Sequence, residues 1–210
     1  MGSKSSLKHL LTLKLACSGF QKHLNTFHHY KLLIEDINLH FIRERPDVAA
    51  EPCKRSIIPL LLLHGWPGHA LEFSKVIKPL AHPGPSTPVH IPAFDVVVVS
   101  HPGYLFSSSA SAHQSTISGN VRGNHSGPEG DLLIKDVARI MDQLMCRLGF
   151  ETGYAVQAGD WSYHVARQMA VQFPQRCKAV HLNFCESFCF AAKRKRLNVV
   201  GSKVPSNHLR

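Results

Sequence analysis

The sequence lacks several features that would place it quickly. No apolar run reaches the ~20 residues needed to span a bilayer. The leucine-rich opening "LKHLLTLKLACSGF" is broken by lysines and has no clean apolar centre, which argues against a secretory signal. Cysteine is sparse. Cys17, Cys53, Cys146, Cys177, Cys185 and Cys189 are too scattered to staple a small domain or to form a zinc pattern. Cys146 and Cys177 fall in apparent core elements, so free thiols in a reducing, cytoplasmic setting are the simpler expectation. The 15 histidines show no metal-ligand spacing, and neither a metal nor a cofactor is expected. A phosphate-binding glycine loop and aromatic–basic interleaving are also missing. Acidic residues number 14 against 24 lysines and arginines, which gives a formal charge of +10. The basic residues are dispersed apart from Lys193–Arg196, and charge alone does not point to nucleic acid.

What is present suits one well-buried domain: 210 residues, 44% of them hydrophobic. Residues 5–33 read as helical pieces, with "HLNTFHHYKLLI" as mixed helix or turn. Ile37, Leu39 and Phe41 then alternate with Asn38, His40 and Ile42 as a strand, and "EDIN" reads as a hairpin turn. "SIIPLLLLHG" is continuously apolar, which suits a strand buried on both faces. Pro59 cannot donate to a ladder, so the strand proper is expected at Leu60–Leu63. Helical spacing over 69–81, a valine-rich strand from Ala93, the clearest helix over 133–150, a strand at "YAVQAG", a helix after Asp160 and a strand at 178–185 follow. Alternating strands and helices predict an α/β fold, a mostly parallel sheet with helices on both faces. The expected division is 1–56 as an N-terminal region with helices and a strand hairpin, 57–186 as the core, and 187–210 as a basic tail. The core carries a polar insertion, 107–130, that is long for a structureless connection. "MGSKSS" places Gly2 and Ser6 in a myristoylation pattern, which implies at most a weak membrane association.

Ligands of such sheets sit beyond the carboxyl ends of the strands. His64–Gly68, His101–Tyr104 and Gly159–Trp161 all follow strand ends. Asp160 lies between small residues at a strand-to-helix junction, where two readings stand. It can cap the helix, or it can be a carboxylate nucleophile on a sharp elbow. "HGWPG" can be a plain tight turn, or a loop whose N–H groups at Gly65 and Trp66 join that of Trp161 in an oxyanion hole.

"LNTFHHYKLLIEDINLHFI", "PLLLLHGWPGHALEFSKVIKPL", "PGYLFS", "DVARIMDQLMCRLGF", "GDWSYHVARQMAVQFPQ" and "KAVHLNF" together resemble the α/β-hydrolase superfamily. The resemblance is to the microsomal-type epoxide hydrolases, which include the insect juvenile-hormone enzymes, and covers about 20–106 and 131–185. It implies that Asp160 opens an epoxide to an alkyl-enzyme ester, which water hydrolyses to a vicinal diol. It also implies oxyanion donors at Gly65, Trp66 and Trp161, and a pocket shaped by Trp66, Trp161, Pro67 and Tyr104. The implied partners are a small apolar epoxide and water, with no nucleic acid. Leu105 and Ser162 stand where the family commonly has glycine. The family's lid tyrosines, relay carboxylate and late histidine base have no match, so the chain resembles the N-terminal half of the fold. A truncated or misread gene product is expected, weakly active or inactive, with an exposed sheet edge open to pairing or aggregation. The competing expectation is a noncatalytic hydrolase-derived fragment that serves in interaction.

Overall fold

The computed structural model describes residues 19–47, 55–109 and 132–184. A short helical stretch over 19–24 leads into a hairpin of β1 (His29–Ile34) and β2 (Ile37–Glu44). β3 (Ile57–Leu63) is followed by a 3-10 turn, Ala70–Phe73, and by α1 (Ser74–Ala81). β4 (Ala93–Val99), α2 (Ile134–Arg147), β5 (Tyr154–Ala158), α3 (Ser162–Gln172) and β6 (Cys177–Leu182) complete the order. The lipidation pattern at Gly2, the first helical pieces, the KRKR run and the tail from 187 lie outside the described residues. So do Cys17, Cys53, Cys185, Cys189 and most of the polar insertion. Among the described residues no helix is long and apolar enough to cross a membrane.

Among the described residues six strands form one sheet in the order β1-β2-β4-β3-β5-β6. β4, β3, β5 and β6 run parallel, and the hairpin joins antiparallel at β4. Both faces of the central strands are covered, which explains their unbroken apolar runs. Leu61, Leu63, Val97 and Val99 pack towards α2 and α3, with Met141, Leu144, Val165 and Met169. Leu60, Leu62, Val96 and Val98 face the other way and meet Leu71 and Ile77 near α1. The chain therefore folds as a partial α/β-hydrolase core, a mixed, mostly parallel sheet with helices on both faces.

Two local readings need correction. β3 includes Pro59, which pairs with Asp95 of β4. β5 begins to pair only at Leu60, so no ladder on that side calls for the donor that proline lacks. His29–Ile34 is a strand rather than helix or turn, because its register against β2 holds it extended. The hairpin turn itself falls at Glu35 and Asp36, both at positive φ (48° and 65°). Two buried carboxylates inside the fold, Asp95 and Asp142, are paired with arginines. Arg43 grips Asp95 through two bonds of 2.9 and 2.7 Å. Asp142 of α2 accepts from Tyr154 Oη at 2.7 Å and from Arg176 at 2.9 and 2.6 Å. Cys146 and Cys177 are free thiols.

Candidate active site

β3, β4 and β5 are adjacent and parallel, so the segments after them emerge at one end of the sheet. β5 ends at Ala158, and α3 begins at Ser162 with no side-chain cap. Between them Asp160 takes a left-handed conformation, φ 51°, which non-glycine residues rarely adopt. The carboxylate does not cap α3. It reaches across to the loop after β3, where Oδ1 accepts the Trp66 N–H at 2.8 Å. The two readings of Asp160 are thus separated by geometry. Its backbone C=O serves the helix start, accepting from Tyr163 N–H at 3.0 Å, and its side chain faces the cleft.

The N–H groups of Trp66 and then Trp161 hold the Asp160 carboxyl below its ordinary range, against a small opposing effect of burial. The group is consequently ionised at neutral pH. Gly65 gives the room for this approach: a Cβ there would lie 2.6 Å from the Asp160 Cβ and 2.9 Å from Oδ1. The Gly65 N–H turns elsewhere, to Glu72 Oε1 at 3.3 Å. Of the three expected donors, Trp66 and Trp161 act on Asp160, while Gly65 contributes space.

The pocket residues divide between two openings. A cleft of about 530 Å³ holds Asp160, Gly65 and Pro67, lined by Leu63 and Phe73 but also by Gln157 and Asn183. A second, of about 440 Å³, holds Tyr104 and Trp161 beside Leu132, Ile134 and Val137. Trp66 borders both and is 69% exposed. The bond from Trp66 to Pro67 is cis. The cleft at Asp160 is more polar than an apolar pocket would be, since Glu72, Gln157 and Asn183 enter it.

Beneath the elbow lies a polar network that the sequence did not reveal. Ser162 Oγ donates to the His64 carbonyl and meets His101 Nε2 at 3.0 Å. His64 Nδ1 donates to the Gly65 carbonyl at 3.0 Å, and its Nε2 accepts the His101 N–H at 3.3 Å. Burial, then the neighbouring His64, pushes His101 down to about 3, so it stays neutral. Burial also lowers His64, against the Gly65 carbonyl. Ser162 ties the ends of β3 and β4 to the start of α3. Leu105 sits at φ 48°, a conformation that glycine would take without cost. His164 lies on α3 with its ring 3.8 Å from that of Tyr163. Glu72 was also missed, because its place in the cleft depends on a turn and not on any spacing visible beforehand. Among the described residues no group of histidines, cysteines and carboxylates could hold a metal ion.

The chain matches two family profiles: "Epoxide hydrolase N terminus" over 16–73 and "alpha/beta hydrolase fold" over 58–183. It is 38% identical over 160 residues to the juvenile hormone epoxide hydrolase of Manduca sexta, covering 76% of this chain and 29% of that protein. It is 37% identical to epoxide hydrolase 1 of Oryctolagus cuniculus, with 76% and 31% covered. The crystal structure of the juvenile hormone epoxide hydrolase of Bombyx mori superposes with a TM-score of 0.63 at 34% identity, over 80% of this chain and 38% of that one. The Aspergillus niger epoxide hydrolase gives 0.60 at 32% identity, with 81% and 38% covered. The chain spans about a third of the length of these relatives and corresponds to their N-terminal part. With the sheet order and the two profile matches in agreement, this chain belongs to the α/β-hydrolase superfamily and is similar to the N-terminal part of its epoxide hydrolases, the juvenile hormone enzymes among them.

Proposed function

We propose that the chain carries the nucleophile of an epoxide hydrolase and acts on small apolar epoxides. The observation that carries the reading is the Asp160 carboxylate, raised on a left-handed elbow with one oxygen bound to the Trp66 N–H at 2.8 Å. The oxygen not bound to Trp66 attacks an epoxide carbon. A C–O bond forms there and the ring C–O bond breaks. Its electron pair goes to the departing oxygen, which takes a proton from water. The product is a hydroxyalkyl ester of Asp160. Oδ1 becomes the ester carbonyl oxygen and already sits on a backbone donor. Water attack at the ester carbon then places negative charge on that same oxygen, where a lost donor costs about 3–4 kcal/mol in acyl-transfer sites. Trp66, Pro67, Tyr104 and Trp161 supply the surface against which the apolar part of the substrate rests. Because the chain spans about a third of its relatives, the reading is tested on the alkylation half-reaction. Incubation with styrene oxide, followed by intact-mass measurement, should show one added epoxide. Asp160→Asn should abolish it. An adduct of equal yield in Asp160→Asn would remove the proposal.

A further inference from the structure

Asp160 shares its cleft with a second carboxylate. Glu72 comes from the 3-10 turn Ala70–Phe73 and lines the same cavity. Its Oε1 accepts the Gly65 N–H at 3.3 Å. The place for it is shaped by glycine: a Cβ at Gly68 would collide with Glu72 Oε2. Two successive peptides of the loop after β3 are thereby held at both ends. The His64–Gly65 peptide gives its C=O to the Ser162 hydroxyl and its N–H to Glu72. The Gly65–Trp66 peptide gives its C=O to His64 Nδ1–H at 3.0 Å and its N–H to Asp160 at 2.8 Å. Turning the first peptide turns the second, so an acceptor at Glu72 bears on where the Trp66 N–H points.

We propose that Glu72 is a positioning residue of this site: it holds the Gly65 N–H, fixes the aim of the Trp66 N–H on Asp160, and sets a second negative charge beside the nucleophile. The inference rests on the reading of Asp160 as nucleophile and adds a residue that reading does not use. Alkylation turns the Asp160 carboxylate into a neutral ester, so it relieves repulsion from Glu72 and is favoured by it. The ionisable groups facing Glu72 are His69 on its own turn and Asp160 on the elbow. Burial lifts the Glu72 carboxyl above its ordinary range and the Asp160 charge acts in the same sense. The Gly65 N–H and His69 oppose them.

The test is an amide NMR titration of the full chain, with alkylation rates measured on the same samples. In the wild type the Gly65 amide should move with pH, with its inflection above the usual glutamate range. The inflection should vanish in Glu72→Gln and shift to lower pH in Asp160→Asn. The Trp66 amide should be displaced in Gly68→Ala, which crowds Glu72 away without changing its chemistry. A Gly65 amide that ignores pH, or that titrates alike in Glu72→Gln, overturns the inference. Styrene oxide should alkylate Glu72→Gln about 3- to 10-fold more slowly than wild type, as expected when one neighbouring charge no longer raises the basicity of the nucleophile. Equal rates in wild type, Glu72→Gln and Gly68→Ala also overturn it. Absence of any adduct in every form removes the reading of Asp160 instead, and the Gly65 titration still decides whether Glu72 holds the loop.

Discussion

The hairpin turn at Glu35–Asp36 and the elbow at Asp160 bend the chain through the same left-handed backbone, with φ of 48°, 65° and 51°. Their surroundings differ. The hairpin is flanked by buried Ile34 and Ile37 and is set by strand register, in the way two-residue loops favour positive φ. At the elbow, N–H groups from two segments about a hundred positions apart in sequence converge on one carboxylate. Unusual backbone therefore does not mark a site. What sets the elbow apart is the convergence of donors, which requires the parallel packing of β3 against β5.

The largest expected effect that separates the two turns is chemical. Asp160→Asn should eliminate epoxide adduct formation while leaving the fold intact, whereas Asp36→Asn should leave the adduct unchanged. Intact mass and circular dichroism on both variants check this. Gly65→Ala comes next. Its Cβ would fall 2.6 Å from the Asp160 Cβ, so the loop or the elbow must shift. A misplacement near 1 Å costs on the order of 10²-fold in rate, which pseudo-first-order alkylation kinetics would read.

Acid should weaken both regions through buried neutral histidines. Burial first, then His29 and Lys31, lowers His40 on the hairpin from 6.5 to about 4, and His101 under the elbow falls to about 3. Both folded values lie below the unfolded one, so the unfolded chain binds more protons in this window. Stability should fall as pH drops from about 6.5 towards 4. Urea midpoints at pH 7 and pH 5 should show the loss, and His101→Leu should reduce it.

The smallest effects concern strain alone. Leu105→Gly relieves about 1–2 kcal/mol of left-handed strain against roughly 0.5–1 kcal/mol of added chain entropy. A gain of about 0–1.5 kcal/mol in denaturant unfolding is expected. Asp36→Gly should gain less, because aspartate tolerates this conformation better than leucine does.

Much of this was legible beforehand. Continuous apolar runs at Leu60–Leu63 and Val96–Val99 announced buried parallel strands, and the segments following them could be grouped at one sheet end. Asp160 between small residues signalled an elbow, although only the fold separated it from a helix cap. What could not be read depends on rotations and on distant partners. Pro59 entered β3 because a neighbouring strand starts one residue later. The Gly65 N–H faced Glu72 rather than Asp160 because a short turn brought that side chain over Gly68. Trp66 and Tyr104 line one opening, yet Asp160 and Pro67 lie in another that Trp66 also borders. The Ser162–His64–His101 network joins three segments that no spacing relates.

On the proposed reading Asp160, held by the Trp66 N–H, is the group that reacts with an epoxide. Peptide mapping by tandem mass spectrometry after exposure to styrene oxide tests it most directly. The hydroxyalkyl group should appear on Asp160, at substoichiometric reagent and ahead of any histidine or cysteine. Modification of histidines or cysteines with Asp160 left unmodified would contradict it.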